Sequence, residues 1–479
     1  MSHHTKEPSL LEAFLPIIVL IGLLTVSVWL ELAAGNQIGL IMATIVAGLI
    51  GYRLNFKWKE MLDGMTEAIN TALPAMMILL LIGALAGTWL ISGIVPTLIY
   101  YGLKILNPTY FLFAACIISA IISLATGSSW STIATVGVAM FGIGQALGIP
   151  AGLTAGSIIS GAYFGDKMSP MSDTTNLAPA VAGTDLITHI RYMLWTTIPS
   201  ISITLIIYFV IGLFFKDEAS TSDIEQILHT LDSNFYISPI LFIVPAIVIF
   251  MIIKKIDAIP AILTGAILGG VFAVIFQPEL ILTLGAITKD TSFIEASYRA
   301  VVDAMTIKTS IVTNNVLVNE LLTSKGMEGM LNTIWLIICA MSFGGIMDKL
   351  GLLKRITNAL ISKKKTSQGS LIMTTTLTCI GFNVTTSDQY LAIVVPGKMF
   401  SKAYKERGLA PENLSRTLED SGTVTSVLIP WNTCGMAQSS VLGIATGEYF
   451  MYSFFNIISP IMTVTYGYLG IKIKKLKKQ

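Results

Sequence analysis

Residues 165–176 read Gly165-Asp166-Lys167-Met168-Ser169-Pro170-Met171-Ser172-Asp173-Thr174-Thr175-Asn176, and apolar sequence flanks them on both sides. Two carboxylates, a lysine, a proline and several side-chain oxygens stand where a chain in lipid should be greasy. Backbone left unpaired in hydrocarbon costs several kcal/mol per group, so a broken helix survives at membrane depth only against protein or a wet cavity. Ionisable residues in such a place mark function by default. The stretch therefore predicts an interrupted helix that contributes half of an ion-coupled transport site, with its counterpart near residues 429–435.

Composition supports that setting. The chain is 53% hydrophobic and only 12% charged, with a mean hydropathy of +0.75, whereas soluble domains carry about 25% charged residues. This predicts a polytopic membrane protein. A net charge of +2 gives no case for nucleic acid. Cys116, Cys339, Cys379 and Cys434 form no close pairs and no metal-ligand spacing, which argues against disulfides and zinc. His3, His4, His189 and His229 include no metalloprotease pattern. A serine–aspartate pair without a base is poor nucleophilic chemistry, so the chain is not expected to be an enzyme, and no cofactor is expected. The first apolar run has no small-residue cleavage site after it and reads as a retained helix.

Along the chain, residues 11–32 form a first spanning candidate, long enough at 1.5 Å per residue for a core of about 30 Å. Residues 38–51 follow, then an amphipathic stretch 56–70 that reads as interfacial, and a span at 71–90. Thr126-Gly127-Ser128-Ser129-Trp130-Ser131-Thr132 is a second polar interruption. Its apolar flanks predict a re-entrant hairpin with this tip at depth. Gly156-x-x-x-Ser160 and Gly161-x-x-x-Gly165 are small-residue spacings that let helices approach closely, and helix packing is the expected role. Residues 216–232 read as a solvated acidic loop, and 441–470 as a last span. Lysines at 363–365 and in the tail 472–478 read as cytoplasmic surface charge, which places both termini inside.

The two halves echo each other at an offset of about 260 residues. Ile69-Asn70-Thr71 resembles Leu331-Asn332-Thr333, and Thr126-Gly127-Ser128-Ser129 aligns with Thr385-Thr386-Ser387-Asp388. In each half a polar break follows the tip by about 45 residues: 172–176 in the first, 430–435 in the second. Secondary transporters are commonly built from such repeats, with binding sites at interrupted helices. The expected fold is an all-α polytopic membrane protein of two inverted-topology repeats, each with a re-entrant hairpin and a broken helix. N-terminal helices and an interfacial segment occupy 1–70. The first repeat spans 71–215, with tip 126–132 and break 165–176, and linking helices fill 216–330. The second repeat spans 331–471, with tip 385–388 and break 429–435, and a basic tail closes the chain at 472–479.

Oxygen donors suit a small hard cation such as sodium, by the logic of calcium and magnesium sites. The first half offers Ser128, Ser129, Ser172, Asp173, Thr174 and Asn176; the second offers Ser387, Asp388, Asn432 and Thr433. Asp173 and Asp388 are the proposed sodium-binding carboxylates. A carboxylate that takes either sodium or a proton is sufficient for exchange, provided burial lifts its pKa from about 4 toward the working pH. Asp166 and Lys167 are an ion pair or gate that shapes access, and Glu419 and Asp420 a proton path or a helix terminus.

Three motifs carry a resemblance. They are Gly127-Ser128-Ser129-Trp130-Ser131-Thr132-Ile133-Ala134-Thr135; Gly165-Asp166-Lys167-x-Ser169-Pro170-x-Ser172-Asp173-Thr174-Thr175; and Leu418-Glu419-Asp420-Ser421-Gly422-Thr423 followed by Ile429-Pro430-Trp431-Asn432-Thr433-Cys434-Gly435. With them the chain resembles the NhaC family of sodium/proton antiporters, within the wider ion-transporter superfamily. The resemblance implies a scaffold region, a mobile transport region with two re-entrant hairpins, a homodimer and elevator-like alternating access in the cytoplasmic membrane. It implies sodium and protons as the transported species. The family includes a malate/lactate exchanger coupled to sodium and protons, so a small carboxylate is the alternative substrate.

Overall fold

Helices in this chain begin where a polar side chain or a proline serves the first free N–H groups. Asn107 accepts from Thr109 N (2.9 Å) ahead of Pro108 and opens Pro108–Thr126. Asp185 accepts from Thr188 N (2.9 Å) and opens Leu186–Gly212. Asp257 accepts from Ile259 N (2.9 Å) and opens Ala258–Phe276. The computed structural model describes residues 6–30, 35–215, 221–286, 288, 291–361 and 367–476, and these are almost wholly helical. The described strands are one short antiparallel pair, Thr309–Ser310 with Thr323–Ser324.

Six helices among the described residues are long and apolar enough to cross a membrane, or seven if the pair Ile224–Asn234 and Pro239–Ile253, bent by 86°, counts as one span. Large apolar side chains stand exposed along them, Leu11, Ile18, Ile206, Phe250 and Ile267 among others. Such a belt has no place on a soluble monomer. The chain is an all-α, multi-pass integral membrane protein.

Two stretches with the same order of elements hold the polar interruptions. In the first, Pro108–Thr126 reaches a tip at 127–128 and returns through Ser129–Thr132, a π turn Ile133–Gly137 and Val138–Ala146. Ala151–Met168 then runs to a break at 169–172, and Asp173–Ala182 follows. In the second, Gln368–Thr385 reaches a tip at 386–390 and returns as Leu391–Glu406. Pro411–Leu418, a π turn Glu419–Thr423 and the 3₁₀ turn Ser426–Leu428 lead to a break at 429–432, followed by Thr433–Leu442. The break in the opening stretch is thus only four residues long; Asp166 and Lys167 still belong to a helix. Gly161 and Gly165 pack that helix on Pro108–Thr126: a Cβ at either would lie 2.0 Å from Cys116 O or 2.3 Å from Ala120 O.

Several expectations change. Residues 56–70 and 71–90, expected as two segments, run together in one helix, Trp58–Ile91. Its first turns are buried at Met61, Gly64 and Met65, because Gly64 lets the helix close on Leu331–Lys349 at Gly345. The span expected over 441–470 is divided. Gly443, with φ +74°, ends Thr433–Leu442, and Phe454–Leu469 is a separate helix. The acidic loop contains a helix, Thr221–Asn234, while 216–220 lie outside the described residues, as do the lysines at 363–365 and residues 477–479. The described part of the tail folds back: Lys475 bridges to Leu409, Lys474 pairs with Glu412, and Lys472 sits over the Trp195 ring.

Candidate ion-binding site

Each hairpin tip is pinned to the break of its own half. At the first tip Gly127 takes φ +71°, and a Cβ there would lie 2.7 Å from Met171 C and 2.9 Å from Ser172 N. Only glycine meets both the left-handed backbone and the close approach. Ser128 then caps the returning helix by accepting from Ser131 N (3.2 Å). At the second tip Ser387 takes φ +59°, and its carbonyl accepts from Thr433 N at the second break (2.9 Å). Asn432 Nδ2 donates to Asn383 O and Oδ1, both 3.1 Å, and Trp431 Nε1 donates to Val384 O (2.7 Å). These bonds satisfy backbone that the breaks would otherwise leave open.

A carboxylate sits on the first turn beyond each tip. Ser129 donates to Asp166 Oδ2 through both its hydroxyl (2.6 Å) and its backbone N–H (3.0 Å). Asp388 Oδ1 accepts from Leu391 N (2.8 Å). A helix N-terminus presents partial positive charge and free N–H groups, so it holds an anionic side chain well. Ser129 aligns with Asp388 between the two halves, which leaves the first tip without a carboxylate of its own. The structure supplies the missing carboxylate from Asp166.

Between the tips lies a cavity of about 780 Å³. Its walls include Ser128, Asp166, Ser172, Asp173, Thr174 and Asn176 from the first half, and Asp388, Gln389, Tyr390, Thr433 and Cys434 from the second. Residues 71–78 of the long helix and the turn 255–259 complete it. The charged residues on the lining are four aspartates, Asp166, Asp173, Asp257 and Asp388, and one lysine, Lys255. Such a lining attracts cations. Its donors are carboxylate, hydroxyl and amide oxygens, which suit a hard cation. Among the described residues no group of three or more His, Cys, Asp or Glu gathers as a transition metal would require.

Not every predicted residue faces the cavity. Ser129 stands behind Asp166, and Ser387 is buried beneath the second tip, where its hydroxyl has no hydrogen-bond partner. Asn432 is buried as a clamp on Asn383. Asn176 lines the wall, and its amide donates to Pro170 O (2.9 Å) and Ser172 O (2.7 Å) across the break. Ser172 caps Asp173–Ala182, and Asp173 is exposed on its first turn.

Asp166 and Lys167, adjacent in sequence, point to different partners. Lys167 is fully buried and paired with Asp420, with Ser459 Oγ 3.2 Å away. Asp420 also accepts from Thr196 Oγ1 (2.8 Å) and Ser459 Oγ (3.1 Å). This ion pair ties the first broken helix to the second. Glu419, next to Asp420, is buried with neither carboxyl oxygen hydrogen-bonded.

The sequence reading passed over Gln389, Tyr390, Asn383 and Asp257. Gln389 and Tyr390 follow Asp388 directly, and Asn383 is an isolated polar residue in an apolar helix, so all three carried a local signal. Asp257 did not, because a polar turn between two spans looks like any loop.

A family model described as the Na+/H+ antiporter family matches residues 161–471. The Na(+)/H(+) antiporter NhaC of Alkalihalophilus pseudofirmus is 37% identical, over 92% of this chain and 91% of that one. The Malate-2H(+)/Na(+)-lactate antiporter of Bacillus subtilis is 36% identical over 97% of this chain and 96% of its own. The Arginine/ornithine antiporter ArcD of Halobacterium salinarum is likewise 36% identical, over 98% and 93%.

Proposed function

We propose that this chain, which belongs to the Na+/H+ antiporter family, exchanges sodium ions for protons across the membrane by alternating access. The observation that carries the reading is the cavity wall, where four aspartates face one lysine and both tips, the first break and the start of the helix after the second break contribute. Asp166 and Asp388 each have one oxygen fixed on a helix N-terminus, which orients the carboxylate without consuming its charge. Sodium binds these groups and displaces a proton as it does so, with Ser128, Ser172, Thr174 and Thr433 as neutral oxygen donors and Asp173 as a third carboxylate. Exchange follows if the cavity changes sides only when its carboxylates are neutralised by one cation or the other. The two pinned tips move with their breaks as one body, an elevator-like motion. We place the chain in the cytoplasmic membrane with both termini inside, on the strength of its basic tail, and working as a homodimer, as the family resemblance implies.

A second reading is favoured by size. A cavity of about 780 Å³ falls in the range of organic-ligand sites, about 300–1,000 Å³. Its acidic wall suits an organic cation better than a dicarboxylate such as malate. Purified protein in liposomes loaded with a pH-sensitive dye separates these readings. Sodium alone is expected to dissipate an imposed pH gradient. A response that requires added malate, lactate or arginine would replace simple exchange with organic-solute exchange.

A further inference from the structure

The π turn Glu419–Thr423 treats two adjacent carboxyls in opposite ways. Asp420 is served by Lys167, Thr196 and Ser459. Glu419 is fully buried and neither oxygen makes a hydrogen bond of normal geometry; the Thr423 hydroxyl of its own turn is the donor placed to serve it. That hydroxyl, at the far end of the turn, is also buried and makes no such bond. An ionised carboxylate without hydrogen bonds in such surroundings is costly enough that the group neutralises instead. A π turn inserted in a helix is itself frequent at functional sites.

The turn lies directly behind the cavity. Gln389, on the cavity wall, donates from Nε2 to Thr423 O (3.4 Å) and accepts from Cys434 Sγ (3.0 Å), another wall residue. Asn383, which clamps the second break, donates to Gly422 O (2.7 Å). The wall residue Gln389 and the clamp Asn383 thus touch the π turn that carries Glu419. The charged groups acting on Glu419 are Lys167 and Asp166 from Ala151–Met168 and Asp420 from its own turn. His189, on Leu186–Gly212, is buried with Nδ1 2.8 Å from Ser415 Oγ, and Lys167 is the charge that acts on it.

We propose that Glu419 carries the exchanged proton, taking it from and returning it to the cavity past Thr423 and Gln389, while the cavity aspartates carry the sodium. This rests on the sodium/proton reading above. The step is a simple transfer: on one side hydronium gives its proton to the Glu419 carboxylate and becomes water, and on the other side the carboxyl O–H breaks and water takes the proton. Coupling follows from Lys167. An ionised Glu419 draws on the lysine that Asp420 holds, and Lys167 is the helix neighbour of Asp166. A proton on Glu419 and sodium on Asp166 thus act on the same helix end.

The test is proton release on sodium binding, measured with purified protein in a weakly buffered dye solution beside binding of radiolabelled sodium. Wild type is expected to bind sodium and release protons. E419Q is expected to bind sodium without releasing them, and E419D to restore release. In infrared difference spectra, the sodium-induced loss of a protonated-carboxyl band is expected in wild type and absent from E419Q. Sodium-evoked proton release by E419Q equal to that of wild type would overturn the proposal. So would loss of sodium binding in E419Q, which would put Glu419 in the sodium site or its scaffold. A wild type that binds no sodium would instead remove the sodium/proton reading, and this proposal with it.

Discussion

Ser129 and Asp166, 37 residues apart, meet through two hydrogen bonds, from Oγ at 2.6 Å and from the backbone N–H at 3.0 Å to the same carboxylate oxygen. The contact puts a carboxylate on the first tip where the second tip has Asp388, and it joins the tip to the helix that precedes the first break.

Ser129→Ala removes one charge-assisted hydrogen bond while leaving the N–H contact. Such a bond contributes about 1.5–3 kcal/mol. The half-saturating sodium concentration is expected to rise about ten- to a hundredfold, read from sodium-evoked pH changes in proteoliposomes. Asp166→Asn is expected to abolish exchange with the protein still inserted, and an unaltered sodium response in that variant would take Asp166 out of the site.

Asp388→Asn and Asp173→Asn separate the two carboxylates proposed from sequence. Both are expected to lose proton-coupled sodium exchange. Asp173 stands exposed on the first turn of a helix capped by Ser172, so a charge at that helix N-terminus alone would contribute only about 0.3–1 kcal/mol of stability. Exchange with an unchanged pH profile in Asp173→Asn would reduce it to that role.

Competition fixes the sign of the pH response. Sodium binding displaces a proton, so acidification raises the half-saturating sodium concentration, by up to about tenfold per pH unit when one proton leaves per sodium bound. Sodium titrations at a series of pH values check this; an affinity that improves on acidification would contradict exchange of the two ions.

Lys167 and Asp420 form a fully buried pair between the two broken helices. Lys167→Met alone strands a buried carboxylate and is expected to cost about 3–5 kcal/mol, and the double change Lys167→Met with Asp420→Leu to recover much of it. Thermal unfolding in detergent, followed by size-exclusion chromatography, measures both. Equal losses in single and double variants would show that the pair is needed for something other than charge balance.

Gly127→Ala meets two obstacles, the left-handed backbone at φ +71° and Met171 C 2.7 Å from the new Cβ. The backbone alone costs about 1–2 kcal/mol. Lower thermal stability and weakened sodium affinity are expected together, because the tip can no longer close on the break.

Much was legible in the residues. Hydropathy marked the membrane chain, the polar runs marked the interruptions, and the Ser128, Asp388 and Thr433 motifs led to residues that share one cavity wall. Boundaries were less legible. Trp58–Ile91 is one helix where two segments were expected, because amphipathic and apolar stretches differ in what they face and not in backbone. Asp166 and Lys167 read as one local pair, yet they point to Ser129 and Asp420, since successive residues on a helix project about 100° apart.

The sequence by itself determined which polar groups interrupt the apolar helices, because such runs stand out from a chain that is otherwise suited to hydrocarbon. Only the tertiary structure decided which carboxyls are paired. Asp420 meets Lys167 and two hydroxyl donors, while neither oxygen of Glu419 is hydrogen-bonded. Nothing local distinguishes these two neighbours. Their difference comes from groups brought in from helices more than 200 residues away in sequence, Lys167 and Thr196, and a buried carboxyl's chemistry is set by those partners.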